Sequence, residues 1–124
     1  WVPEYGRTYY EGKMTSDQLN NWQTAEFVHI AKVQNTVEEA LAKQANKVLI
    51  CDTSSFATEI WHERYVGTES KEIKKISSKM TADLYIVTNT DIPFVQDGTR
   101  DGESIRQKMH ERFVEVLKER KQNF

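Results

Sequence analysis

The chain has 124 residues, 38% of them hydrophobic and 29% charged, enough apolar side chains for one modest core and no more. Its 19 acidic and 17 basic residues give a net charge of -2 and are spread along the chain, so no sustained positive field exists to hold a polyanion and nucleic acid is excluded as a primary partner. No apolar stretch approaches the roughly 20 residues a bilayer demands, and the polar N-terminus has none of the regions of a signal peptide. A soluble chain with no membrane partner is expected.

In chain order, the first feature is Trp1-Val2-Pro3, a short apolar run that could close a first strand ahead of Glu4-Tyr5-Gly6-Arg7. After Trp22, the residues Phe27, Ile30, Ala31, Val37, Leu41 and Ala45 recur at mostly three- and four-residue steps, which predicts a long amphipathic helix over about residues 23–44. Lys47-Val48-Leu49-Ile50-Cys51 follows as an unbroken apolar run ending in Asp52-Thr53-Ser54-Ser55. The same grammar returns in Ala82-Asp83-Leu84-Tyr85-Ile86-Val87, ending in Thr88-Asn89-Thr90-Asp91. Continuous rather than alternating apolarity predicts strands covered on both faces, hence a parallel sheet. Phe56, Ile60 and Trp61, then Ile73, Ile76 and Met80, fit one or two helices between these runs. Ile105, Met109, Phe113, Val116 and Leu117 predict a last helix over about residues 102–120, after a polar loop containing Gly98 and Gly102. With no internal repeat or linker, residues 1–124 read as one α/β unit.

In such an arrangement ligands gather at the carboxyl ends of the strands, where helix N-termini offer unpaired amides. Glu4 to Arg7, Asp52 to Ser55 and Thr88 to Arg100 would share that edge. Asp52 after an apolar strand has the position of a Mg2+-holding aspartate, a hard oxygen ligand fixed beside phosphates; alternatively Asp52, Thr53 or Ser54 caps the next helix. Asp97-Gly98-Thr99-Arg100-Asp101-Gly102, with Arg106 beyond it, reads either as a surface turn or as a lid whose guanidiniums meet a transferred phosphoryl group. Trp1, Tyr5, Tyr9, Tyr10, Trp22 and Trp61 serve packing, with Trp1 and Tyr5 also placed to stack on a flat heterocycle.

Several other readings are set aside. The phosphate-cradling pattern G-x-x-x-x-G-K-[ST] is absent; Gly6 to Met14 has one residue too many between its glycines and a methionine where the hydroxyl belongs. His29, His62 and His110 stand apart without ligand spacing and read as solvated helix histidines. Ser54 and Ser55 lack a nucleophile elbow. The one cysteine, Cys51, reads as a buried thiol in a reducing, cytoplasmic setting.

Three segments, in order, resemble one family. Trp1-Val2-Pro3-Glu4-Tyr5-Gly6-Arg7, with Tyr9 and Glu11, resembles the V-P-E-Y-x-R-x-Y segment of NadR-type nicotinamide riboside kinases, a P-loop kinase family. Cys51-Asp52-Thr53-Ser54-Ser55-Phe56-Ala57-Thr58 is similar to their D-T-D-x-x-T-T segment, and Asp91-Ile92-Pro93-Phe94-Val95-Gln96-Asp97-Gly98-Thr99-Arg100 to their x-x-P-W-V-x-D-G-x-R stretch. The chain departs from these patterns at Ser54, Ala57 and Phe94, where the family has aspartate, threonine and tryptophan.

The resemblance implies a three-layer parallel sheet of the P-loop kinase type, incomplete at both ends because the first strand, the P-loop and the first helix would precede Trp1 and a last strand would follow Phe124. Without its central strand such a sheet would hold a slot about 10 Å wide, two inter-strand spacings, with unpaired backbone on each side. It also implies ATP-dependent phosphorylation of nicotinamide riboside to nicotinamide mononucleotide, with ATP and Mg2+ as cofactors and an adenylyltransferase domain as a neighbour in the longer protein. Under it Glu4 would bind the acceptor hydroxyls or take the proton, and Arg7, Trp1, Tyr5 and Thr53 would support substrate. Asp52 would hold Mg2+, while Asp97, Gly98, Arg100 and Arg106 would form a lid. Residues 1–124 by themselves would be inactive. The alternative is a ligand-sensing or regulatory module that keeps the scaffold without turnover.

Overall fold

The computed structural model describes residues 1–14, 21–96 and 102–124. They form two compact units, Trp1–Thr81 and Ala82–Phe124. In the first, α1 (Tyr5–Lys13), α2 (Thr24–Ala42), α3 (Ser55–Val66) and α4 (Lys71–Ser77) follow one another; in the second, a 3-10 turn (Glu103–Ile105) leads into α5 (Arg106–Glu119). No helix among the described residues is long and apolar enough to cross a membrane.

The periodic segment after Trp22 is α2, and its start is fixed locally: the Gln23 amide donates to Glu26 Oε2 at 2.7 Å, so the acidic side chain satisfies an otherwise orphaned donor at the positive end of the helix. One stripe of α2 carries Phe27 and Ala31 into a core with Ile73 and Ile76 of α4, and Trp22, Trp61 and Tyr65 pack around it. Two buried polar ties set the spacing of these helices. Asn35 Nδ2 donates to the Ile76 carbonyl at 3.0 Å, and Ser77 Oγ donates to Glu59 of α3 at 2.5 Å. Helix α3 ends at Gly67, whose φ of +80° a side chain would disfavour and whose N–H returns to the Glu63 carbonyl. Seven-residue α4 would not persist unaided; Ser70 caps it by accepting from the Ile73 amide, and burial of Ile73 and Ile76 holds it down.

Helix α1 carries no apolar stripe, and none of its residues is fully buried. Aromatic and ionic contacts attach it to α2. Tyr10 stacks on Trp22 with ring centroids 6.2 Å apart, and Lys13, its ammonium 4.1 Å from the centre of the Trp22 ring, is bonded to both carboxylate oxygens of Glu26. The string from Gly6 to Met14 therefore lies in and just beyond a helix rather than in a phosphate-binding loop.

The expected three-layer parallel sheet is not formed. Among the described residues there is no strand, only an isolated parallel bridge between Val2 and Cys51, made by Val2 N–H to the Ile50 carbonyl (2.7 Å) and Asp52 N–H to the Val2 carbonyl (2.8 Å). A run of apolar side chains supplies faces to bury, but a strand is a ladder and needs partner backbone on its edges. Residues 48–50 and 82–87 lack such a ladder, and four of their apolar side chains stand in solvent, Val48 at 75% exposed, Ile50 66%, Leu84 60% and Ile86 85%, while Leu49, Tyr85 and Val87 are half-buried. The edge that three segments were to share at the ends of strands is likewise absent as a sheet edge.

His62 corrects a second expectation. It is not solvated but 1% exposed, edge-on to Phe27 at 5.3 Å, with Nε2 3.0 Å from Thr24 Oγ1. Burial pushes its pKa below the ordinary 6.5, so the neutral ring is the folded form. The unfolded chain then binds a proton the folded one refuses, and this contribution to stability is lost as pH falls below that ordinary value. Between about pH 7.5 and about pH 5.5, unfolding free energy from urea titration should decline less in His62→Gln than in the wild type. Equal slopes would show that His62 titrates alike in both states.

Candidate functional site

The Val2–Cys51 bridge draws two loops of the first unit together at the start of α1 and the start of α3. On one side, Pro3 and Glu4 lead into α1; on the other, Asp52, Thr53 and Ser54 lead into α3. Glu4 is half-buried and Asp52 exposed. Burial, reinforced by the Asp52 charge, pushes the Glu4 carboxyl above its ordinary pKa of 4.5, and Arg7 opposes the shift. A partly desolvated carboxyl such as Glu4 is suited to accepting a proton.

Ser54 occupies the N-cap of α3 with φ -160° and makes no side-chain cap hydrogen bond. Thr53 has a φ of +62°, a conformation costly for a β-branched residue and persisting only where the surroundings impose it. Thr53→Asn, a residue that tolerates this backbone, should stabilise the fold by about 1 kcal/mol, and Thr53→Val, which retains the branch, should not. Urea midpoints of the two variants check this. Behind the segment, Ser55 is wholly buried and its Oγ has no hydrogen-bond partner.

The remaining residues singled out from the sequence divide between the units. Arg7 donates to Glu11 at 3.0 Å in an exposed i,i+4 pair on α1. Trp1 is 71% exposed, and Tyr5 OH lies 3.2 Å from His29 Nε2 on α2. Glu4, Asp52 and Thr53 meet at the bridge. In the second unit, Arg106 Nη2 donates to the carbonyls of Ile92 (2.7 Å) and Thr90 (3.3 Å), and its guanidinium lies 5.8 Å from the Phe94 ring, so it ties a loop to the start of α5. His110 Nδ1 lies 3.1 Å from the Thr88 carbonyl one turn further on. Asp97, Gly98 and Arg100, the core of the expected lid, lie outside the described residues.

Sequence reasoning passed over Gln34 and Glu38. Both face inward from α2, 2% and 5% exposed, at positions where the helical period calls for apolar residues. That interruption of the stripe was their only signal. Cys51 is half-buried, its thiol pushed up by burial and by the Glu38 charge, which disfavours the thiolate.

No cluster of three or more histidine, cysteine, aspartate or glutamate side chains able to hold a metal occurs among the described residues. A Mg2+ ion needs no such cage, since it keeps several waters and takes one or two carboxylates together with substrate phosphates. The exposed Asp52 carboxylate fits that donor set.

The family model described as "AAA domain" matches residues 1–124. Two curated relatives are the Trifunctional NAD biosynthesis/regulator protein NadR of Salmonella typhimurium and that of Escherichia coli strain K12. Each is 30% identical over 118 residues, covering 94% of this chain and 28% of the relative. The chain thus spans little more than a quarter of the length of these relatives. No solved structure matches it.

Proposed function

The chain belongs to the AAA domain family, and from that membership we propose that it forms the acceptor-binding part of an ATP-dependent nucleoside kinase of NAD metabolism, with nicotinamide riboside as acceptor. The observation that carries this reading is the Glu4–Asp52 pair at the Val2–Cys51 bridge, in which the Asp52 charge helps raise the Glu4 carboxyl. The NadR relatives, named for NAD biosynthesis and regulation, support the metabolic assignment.

In this mechanism the 5'-hydroxyl of the riboside attacks the γ-phosphorus of ATP, the bond from that phosphorus to the β,γ-bridging oxygen breaks, and ADP leaves. Glu4 accepts the hydroxyl proton; a carboxyl raised toward neutrality is a better base for this than one at 4.5, because base strength and ionised fraction are then better matched. Asp52 would hold Mg2+, which would offset phosphate charge during transfer. Thr53 orders Asp52 through its constrained backbone. Arg7 contacts the acceptor or its phosphate, and Trp1 and Tyr5 offer faces to the nicotinamide ring.

A phosphoryl-transfer assay on the full-length protein with nicotinamide riboside and Mg-ATP tests the reading, nicotinamide mononucleotide being the expected product. No turnover with any nucleoside would leave ligand sensing without catalysis as the function. Residues 1–124 alone, which contain no G-x-x-x-x-G-K-[ST] string, are expected to give none.

A further inference from the structure

Helix α1 begins immediately after Glu4, which occupies its N-cap position. The first amides of a helix need acceptors from outside, and the N-cap side chain commonly supplies one. Glu4 makes no side-chain cap hydrogen bond. The first amide of α1 is met instead by a residue 29 positions away: Tyr5 N–H donates to Gln34 Oε1 at 3.0 Å. The orientation of the Gln34 amide is chemically determined, because the Tyr5 N–H can only donate, which leaves Nε2 to donate at 2.9 Å to Glu38 Oε1, one turn along α2. The carbonyl end must then face Tyr5.

Burying a glutamine and a glutamate is costly unless their polar atoms are matched, and leucine at position 34 would pack the same stripe without that cost. What leucine could not do is accept from Tyr5. The Glu4 side chain meanwhile lies over the first turn of α1, where a Cβ built on Gly6 would come 3.6 Å from Glu4 Oε1 and 3.7 Å from Ile30 Cγ2 of α2. The carboxyl is close enough to the helix end to be drawn onto it if its amide were vacant.

We propose that Gln34, fixed by Glu38, is a positioning residue that caps α1 in place of Glu4 and thereby keeps the Glu4 carboxyl available to the acceptor hydroxyl. The inference rests on the reading of Glu4 as the base. It is tested in the full-length protein with Gln34→Met, which keeps side-chain length and loses both hydrogen bonds.

Three readouts are expected to move together. Exchange of the Tyr5 amide should quicken about tenfold while amides in the middle of α2 keep their protection. The Glu4 carboxyl, followed by carbon NMR, should titrate at lower pH as it turns onto the vacated helix end. In the transfer assay kcat should fall about tenfold with KM for ATP unchanged. The double exchange Gln34→Glu/Glu38→Gln retains an acceptor toward Tyr5 and a donor between the two positions, and should restore all three to within about threefold.

Wild-type Tyr5 exchange and Glu4 titration in Gln34→Met would overturn the proposal, as would failure of the double exchange to restore them. If Gln34→Met does not fold, the double exchange decides alone: Tyr5 protection and Glu4 titration retained support the proposal, and their loss refutes it. Absence of any wild-type turnover would sink the kinase reading, and the exchange and titration readouts would still decide whether Gln34 positions Glu4.

Discussion

Replacing Glu4 with glutamine is expected to lower kcat of the full-length protein in the proposed phosphoryl transfer by about a hundredfold to ten-thousandfold, the range a positioned general base contributes. The substitution keeps the shape of the side chain and removes its capacity to take a proton. Its effect on stability should run the other way. Burial and the Asp52 charge raise the Glu4 carboxyl, so its ionised form is disfavoured in the fold, and the stability tied to this group is present below the ordinary pKa of 4.5 and lost as pH rises through the folded value. At neutral pH Glu4→Gln should therefore be as stable as the wild type or slightly more so, and the combination of lost turnover with retained stability separates a chemical role from a structural one. In the wild type, the acid limb of kcat/KM should have its midpoint above 4.5; a midpoint at or below that value would remove Glu4 from the chemistry.

The second large effect is on stability alone. Ile73 is fully buried where α4 meets Phe27 and Ala31 of α2, so Ile73→Ala removes apolar contact and leaves a cavity between elements already pinned by the Asn35 and Ser77 hydrogen bonds. A cost of about 2–5 kcal/mol is expected, against a total of about 5–15 kcal/mol for a typical domain. Urea unfolding measures it. Val48→Ala, at a side chain 75% exposed, is the matching control and should change stability by less than about 0.5 kcal/mol. Comparable losses from the two would mean that the exposed run 48–50 is packed in solution.

What the sequence made legible were the elements that carry their own periodicity. Phe27, Ile30 and Ala31 mark the buried side of α2, and Val116 and Leu117 that of α5, because a helix satisfies its backbone within itself and needs only one stripe to bury. The apolar runs at 48–51 and 82–87 misled for the complementary reason, that a strand exists only with a partner and side-chain pattern alone does not provide one. Helix α1 was illegible because tyrosine faces, the Lys13–Glu26 pair and the Gln34 cap hold it; Tyr5, Tyr9 and Lys13 recur at a helical spacing but make no apolar stripe. His62 was misread because a lone histidine on a helix shows no sign of which face it occupies; contact with Phe27 and Thr24 decides that.

At the site, Glu4 and Asp52 were expected together on one sheet edge; an isolated bridge between Val2 and Cys51 brings their loops together instead. Gln34 and Glu38 behind Glu4 would have been found by asking why two polar residues interrupt an apolar stripe. Arg106 was read as a lid cation, and its guanidinium is engaged by the Thr90 and Ile92 carbonyls; that contact orders the residues just ahead of the expected lid.

The influence of Asp52 on Glu4 is measured by titrating the Glu4 carboxyl by carbon NMR in the wild-type protein and in Asp52→Asn. The wild-type midpoint should lie above 4.5 and move down when the Asp52 charge is removed. A midpoint at the ordinary value, or one indifferent to Asp52→Asn, would contradict this expectation.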